Sequence, residues 1–299
     1  MSQTLEIMES ALAELEDTYI FPEKAAEAAE AIRVRLVGGE FDTLDGPALC
    51  KSVTEVFQAV TKDKHLRLLW SDEAQQPQVD DDEEEALARA EARSRANNHG
   101  IHRVERLDGN IGYLDLRSSE DPRFGARATA AAMELVANTE ALIIDLRGHR
   151  GGSPAGVALW SSYFFADDSV HLNDIYHRKH NVTRQFWTLA HVEAPRYLDR
   201  PVYVLTSATT FSAGEELAYN LKVNKRATLI GESTRGGAHP CDWIQLTPHI
   251  AVTVPAARAI NPVTGTNWEG VGVEPDIAVP AGEALDRALA EMRTKITTP

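Results

Sequence analysis

The sequence predicts a protein of the α/β class, with a small helical bundle followed by a domain of parallel strands and crossing helices. Two observations predict it. Apolar residues recur at a spacing of three to four over the opening segment, and from Asn110 onward short apolar runs alternate with helical stretches. The first pattern belongs to amphipathic helices and the second to βαβ units, whose strands lie parallel in one sheet. Length sets the scale: 299 residues, 43% of them hydrophobic, suffice for one large domain or two modest ones.

The elements follow in order. Leu5, Met8, Leu12, Leu15 and Tyr19 mark the inner face of a first helix. Pro22 opens a second over residues 23–36, and Gly38-Gly39 ends it, because proline suits a helix's first turn and glycine the position past its end. A third is expected at about residues 44–60. Residues 72–98 change character: the acidic run at 80–85 passes into Ala/Arg/Glu-rich sequence, which fits a solvated linker or an exposed helix. The expected domains are therefore residues 1–71 (helical), 72–98 (acidic linker) and 99–299 (α/β). In the last, strands are expected at Ile111–Leu116, 141–146, 201–206, 227–231 and Ile250–Pro255, with helices at 127–136, 213–223 and 282–292.

Charge narrows the partners. A net charge of −15 and a pI near 5.1 oppose nucleic acid, whose phosphates call for Lys and Arg, and oppose anionic membrane surfaces. No apolar run approaches the roughly 20 residues of a spanning helix. The opening segment is acidic and amphipathic, without the basic start and apolar core of a secretory leader. Two cysteines, Cys50 and Cys241, make neither a disulfide framework nor a metal spacing, so a cytoplasmic location is expected. The ten histidines form no H-E-x-x-H or related signature, and His177 and His180 fall in a polar strand-or-loop stretch. No metal and no cofactor are expected.

Four segments could carry chemistry, and each also has a plain structural reading. In Thr210-Phe-Ser212-Ala-Gly-Glu215, a buried-type strand runs through a turn into a helix. Ser212 and Glu215 match a capping box, and the same place gives a serine hydroxyl the free amides and positive dipole end that stabilise an oxyanion. In Asp145-Leu-Arg147-Gly148-His-Arg-Gly151-Gly152, a strand ends in a charged turn. Its glycines could turn backbone N–H groups inward, or simply make the turn tight. In Thr61-Lys-Asp63-Lys64-His65, a histidine follows a helix, where surface or structural histidines are common. In Trp268-Glu269-Gly270, a carboxylate sits in a glycine-rich loop.

Taken together and in order, seven segments resemble the tail-specific (C-terminal processing) protease superfamily, in its retinoid-binding-protein-like and tricorn-like branch. They are Tyr19-Ile-Phe-Pro22, Asp63-Lys-His65-Leu-Arg67, Leu107-Asp-Gly-Asn-Ile-Gly-Tyr-Leu114, Asp145-Leu-Arg147 with Gly151-Gly152, Thr210 to Glu215, Gly231-Glu-Ser-Thr-Arg-Gly-Gly237-Ala-His239-Pro240, and Trp268-Glu-Gly-Val-Gly-Val-Glu-Pro-Asp276. Each motif is modest alone; seven in one order are specific. The resemblance implies a ClpP/crotonase-like spiral domain behind a helical N-terminal domain, and a serine peptidase or a hydrolase of small amides and esters. It places the nucleophile at Ser212, the general base at His65 and the orienting carboxylate at Glu269. Backbone amides of Gly151, Gly152 and Ala213 would form the oxyanion hole. A serine needs such a base, and a base works best when a third group fixes it, in whatever chain order.

The chain departs from the family in three places. His149 stands where many members carry Asn. The segment Gly231-Glu-Ser-Thr-Arg-Gly236 continues with Gly237, where the Ser–Lys members carry their lysine. The PDZ module that grips protein C-termini has no counterpart here, so tail-specific cleavage is not implied. Two other readings stand beside the enzyme: a binding module for an apolar ligand on the same fold, and an inactive hydrolase kept as a scaffold. Both lack a need for serine, histidine and carboxylate together. Substrate identity and oligomeric state are not legible.

Overall fold

The structure, a computed structural model, describes residues 3–75 and 83–296. Helices α1 (Gln3–Thr18), α2 (Pro22–Val37) and α3 (Gly46–Thr61) come first, then strand β1 (Arg67–Trp70). After α4 (Glu83–Ala96) come β2 (Ile101–Leu107), β3 (Ile111–Leu116), α5 (Pro122–Val136), β4 (Ala141–Asp145), α6 (Pro154–Ser162), β5 (His171–His177) and β6 (Val182–Trp187). The chain closes with β7 (Val202–Thr206), α7 (Ala213–Val223), β8 (Thr228–Gly231), β9 (Cys241–Gln245), β10 (Ile250–Pro255), β11 (Ala257–Ile260), β12 (Ile277–Ala278) and α8 (Ala284–Ile296). Among the described residues no helix is long and apolar enough to cross a membrane.

The chain divides into two compact units, and the smaller is not contiguous. It takes the described residues of Met1–Asp82 together with Ile175–Arg184 and His239–Ala259. The contiguous division expected from composition misses this, because strand pairing recruits the late segment. Strand β10 pairs antiparallel with β1 on one side and β9 on the other, Leu68 opposite Val252 and Val252 opposite Ile244. Ile250–Pro255 is a strand as expected, but it belongs to this small sheet and not to the parallel one. The three helices form the expected bundle, and Met8, Leu12, Leu15, Ile32, Phe57, Leu68, Val252 and Val254 make one core with the sheet. Helix α3 is well specified at both ends. Asp45 caps it by accepting the Ala48 amide at 2.9 Å, and Lys62 stops it in the left-handed region at φ 61°. That stop begins the turn that carries Asp63 and His65.

The larger unit is built on a six-stranded sheet in the order β12-β8-β7-β4-β3-β2. All neighbours are parallel except β2, which runs antiparallel to β3 at one edge. Strands β3, β4 and β7 are buried along their whole length, which is why they read as continuous apolar runs and not as alternation. On one face Tyr113, Ile143, Tyr203, Leu205 and Ile230 pack against Ala284, Ala288 and Met292 of α8. The intervening Leu114, Leu142, Ile144 and Val204 are equally buried and, by the two-residue period of a strand, point to the other face. Of the acidic stretch, residues 80–82 lie outside the described residues. From Glu83 the chain forms α4, an exposed helix laced by Arg89–Glu85 and Arg95–Glu91 pairs and belonging to the larger unit. In the stretch with His177 and His180, His177 ends β5 and His180 lies in the turn between β5 and β6, the strand-or-loop setting expected of it.

Candidate active site

Strands β4 and β7 are parallel neighbours, Ile144 opposite Val204 and Asp145 opposite Leu205, so their following loops leave the sheet side by side. Open parallel sheets place their sites at this end. The β4 loop is held by Asp145. Its carboxylate accepts the Arg147 amide at 3.0 Å, the Arg147 guanidinium at 2.6 Å and the Tyr113 hydroxyl at 2.6 Å. Burial pushes this carboxyl up, but the Arg147 and Tyr113 hydrogen bonds outweigh it and hold the group below the usual carboxylate range. The β7 loop is laced to the first. Ser207 Oγ donates to the Arg147 carbonyl at 2.8 Å, Thr210 Oγ1 to the Leu146 carbonyl at 2.8 Å, and the Phe211 amide to the His149 carbonyl at 3.1 Å.

Ser212 stands immediately before α7 with φ 57° and ψ −122°. That pair lies away from both helical wells and is unusual for a residue with a Cβ. Such a strained strand–turn–helix bend is how a serine hydroxyl is presented above a parallel sheet. Its amide donates to Glu215 Oε2 at 2.8 Å, half of the capping box read from the sequence. Ala213 opens the helix, where first-turn amides have no intrahelical partner. The glycine turn faces the serine from the β4 side. A Cβ added to Gly151, which has φ 135°, would stand 3.3 Å from Ser212 Cβ and 3.6 Å from its Oγ.

His149 is fully buried beneath this junction. Its Nδ1 accepts the Gly151 amide at 3.2 Å, which leaves Nε2 as the protonated nitrogen facing Ser119 Oγ at 3.1 Å. Burial, with the charge of Arg150 adding to it, drops its pKa to about 3, so the ring is neutral. Gly214 makes room for it: a Cβ there would lie 2.6 Å from His149 Nδ1. The Gly151 amide, expected in the oxyanion hole, is thus engaged inside its own turn.

Two further segments close around α7. Glu215 is wholly buried and takes three donors besides Ser212: Thr234 Oγ1 at 2.5 Å, the Gly236 amide at 2.5 Å and the Gly237 amide at 2.9 Å. The same segment is held from the far side by the Trp268–Gly272 loop. Trp268 Nε1 donates to the Gly237 carbonyl at 2.8 Å, the Ala238 amide donates to Glu269 Oε2 at 2.5 Å, and the Gly270 amide donates to the Gly236 carbonyl at 3.2 Å. Gly237, where the lysine of Ser–Lys enzymes would stand, is therefore part of a clamp.

Of the residues singled out in the sequence, Ser212, Ala213, Gly151, Gly152 and Glu269 lie in the larger unit, and the first four flank one junction. His65 lies in the smaller unit, on the turn after α3. There the Asp63 carboxylate accepts the His65 amide at 2.9 Å and His239 Nδ1 at 2.6 Å. Sequence reading assigned no role to His149, to this Asp63–His239 pair or to the three extra partners of Glu215. Both members of the pair sit inside motifs that carry the family resemblance, but nothing in either motif points to the other across 176 residues.

A parallel sheet whose strand–turn–helix bend carries Ser212 beside a glycine turn defines an α/β fold with its loops gathered at one end of the sheet. The model of peptidase family S41 matches residues 110–279, more than half of the chain, and the chain belongs to that family. Carboxyl-terminal-processing peptidase 2, chloroplastic, of Arabidopsis thaliana is 32% identical over 184 residues, covering 57% of this chain and 32% of that protein. The carboxy-terminal-processing protease of Bartonella bacilliformis is 27% identical over 179 residues, 58% of this chain and 40% of that protein. The chain thus spans well under half the length of these relatives. Among solved structures, the tricorn protease aligns with a TM-score of 0.62 at 15% identity, covering 99% of this chain and 37% of that one. The photosystem II D1 C-terminal processing protease aligns at 0.52 and 15% identity, over 97% of both chains. At such identities the likeness is one of fold.

Proposed function

We propose that the chain is a serine peptidase that cleaves peptide bonds through an acyl-enzyme, with Ser212 as nucleophile, His65 as general base and Glu269 as the carboxylate that orients it. The observation that carries this reading is the backbone of Ser212. A side chain is held at φ 57°, ψ −122° at a helix start, facing a glycine turn, where a cap alone would need no such conformation. Ser212 Oγ attacks the scissile carbonyl carbon while His65 takes its proton. His65 then returns that proton to the leaving amine, and water repeats the cycle on the ester. The oxyanion falls to the amides of Gly152 and Ala213, because the Gly151 amide serves His149. No metal or cofactor enters this scheme. A cytoplasmic setting belongs to the same proposal and rests on two unbridged thiols, Cys50 and Cys241.

Labelling with a fluorophosphonate, with the adduct mapped by mass spectrometry, tests the assignment. Modification of Ser212, abolished in Ser212→Ala, is expected together with hydrolysis of unstructured peptides. Hydrolysis that survives Ser212→Ala would move the nucleophile, with Ser207 the first alternative. Binding of apolar ligands without labelling would favour the binding-module reading.

A further inference from the structure

We infer that His239 is a positioning residue: through Asp63 it fixes the turn that carries His65. The inference rests on the proposed role of His65 as base. Its ground is a buried hydrogen-bonded chain inside the smaller unit. Asp63 is 1% exposed. A carboxylate so placed is costly unless its oxygens are satisfied. Its Oδ1 accepts the backbone N–H of His65 at 2.9 Å, and its Oδ2 accepts from His239 Nδ1 at 2.6 Å and from the Tyr19 hydroxyl at 3.3 Å. The bond from His239 is the shorter of the two on Oδ2. Because a carboxylate only accepts, the His239 proton sits on Nδ1. The ring is itself locked, 5% exposed and edge-on to Phe21 with centroids 5.6 Å apart.

Other side chains hold the turn by its backbone, among them Arg67 Nε, which donates to the Lys64 carbonyl at 2.6 Å, and Gln58 Nε2, which donates to it at 3.4 Å. Thr61 Oγ1 accepts the Asp63 amide at 3.2 Å, and Thr253 Oγ1 donates to the His65 carbonyl at 2.5 Å. His239 supplies the imidazole bonded to Asp63 Oδ2. Its place in the chain adds the functional sense. It directly follows Ala238, whose amide is held by Glu269.

The test compares His239→Leu, which fills the space without a donor, with His239→Asn, whose Nδ2 takes the place of Nδ1. His239→Gln, whose donor falls at the position of Nε2, is the third variant. The first readout is independent of catalysis: the resonance and hydrogen exchange of the His65 backbone amide. The second is kcat and KM on a peptide substrate. In His239→Leu the His65 amide is expected to shift and to exchange at least about tenfold faster, and kcat to fall roughly 10²-fold with KM within about twofold, the size of a misplaced catalytic group. His239→Asn should restore both to within a few-fold. If Leu proves too unstable to study, Asn against Gln carries the same comparison. An unmoved His65 amide with unchanged kcat in His239→Leu overturns the inference. So does equal damage from Leu and Asn, which would make the ring a space-filler. If the wild type resists fluorophosphonate while the His65 amide still follows the donor at residue 239, the proposed function fails and the positioning role stands.

Discussion

The backbone N–H of Ser212 donates to Glu215 Oε2 at 2.8 Å, so the peptide of the proposed nucleophile is held by a side chain three residues along. The same carboxylate gathers Thr234 and the amides of Gly236 and Gly237, binding the segment after β8 to the start of α7. Glu215→Ala would leave four donors facing a void. At about 1–3 kcal/mol for an unsatisfied buried group, and with some relaxation, a loss of roughly 3–5 kcal/mol is expected. Urea unfolding measures it. A loss under about 1 kcal/mol would mean that the clamp is not what closes the site.

The backbone of Ser212 separates two substitutions that both remove the proposed nucleophile's hydroxyl. Ala keeps a Cβ at φ 57°, ψ −122°, whereas Gly adopts that conformation freely. Strain of this kind costs on the order of 1–3 kcal/mol. Ser212→Gly should therefore unfold at higher denaturant than Ser212→Ala, by about 1 kcal/mol once glycine's greater chain entropy is subtracted. The reverse order would show that the residue is not strained.

Much of this was legible in the sequence, and the boundary has a physical cause. Strands β3, β4 and β7 were readable because burial on both faces leaves an unbroken apolar run. The place of Ser212 at a helix start was readable because serine and glutamate three residues apart are the local pattern of a capping box. Strands β6 and β9 were not, since most of their residues are exposed and carry no alternation. Strand β10 looks like its parallel counterparts, and its antiparallel partners, Arg67–Trp70 far back in the chain and Cys241–Gln245 beside it, send it elsewhere. For the same reason the clamp of Glu215 and the Asp63–His239 pair were invisible. Side-chain bonds across 19 to 176 residues leave no mark on periodicity.

Two buried titratable groups in the larger unit act in opposite directions. Glu216 lies on α7, its pKa pushed up to about 8 by burial, which the facing Asn173 only partly offsets. Its Oε1 meets no partner in hydrogen-bonding geometry among the described residues. The folded state keeps this proton longer than the unfolded chain does, so the group's contribution is intact at low pH and is lost as pH rises from about 4.5 to about 8. Glu216→Gln mimics the protonated form and should gain on the wild type across that window, by at most about 5 kcal/mol at 1.36 kcal/mol per unit.

His149 runs the other way. Burial holds it neutral with a pKa near 3, against 6.5 when unfolded. Its contribution is intact above about 6.5 and is lost as pH falls toward 3, because protons then bind the unfolded chain first. His149→Asn keeps an acceptor for the Gly151 amide and does not titrate. The difference in unfolding free energy between wild type and variant should tilt against the wild type between pH 6.5 and 3. A difference flat across that range would mean that the ring is charged, or reachable by water.

The base decides the mechanism. With Gly237 in place of the family's lysine, a Ser–Lys dyad would need a relocated amine. Lys222 donates to the Glu274 carbonyl and pairs with Asp276, which keeps it off the serine side of α7. Lys225 lies just past the far end of that helix, and Lys64, one residue before His65, is the rival to test. A histidine base titrates near neutrality, whereas a lysine must be stripped of water to work there. His65→Ala is therefore expected to lower kcat/KM roughly 10³-fold or more, Glu269→Gln to cost less, and Lys64→Ala to cost little. The wild-type rate should rise with pH through a single ionisation, that of the base. Steady-state kinetics on the three variants, with fluorophosphonate labelling as a check on Ser212, separate the cases. A dead Lys64→Ala beside an active His65→Ala would replace the proposed triad with a lysine-based dyad.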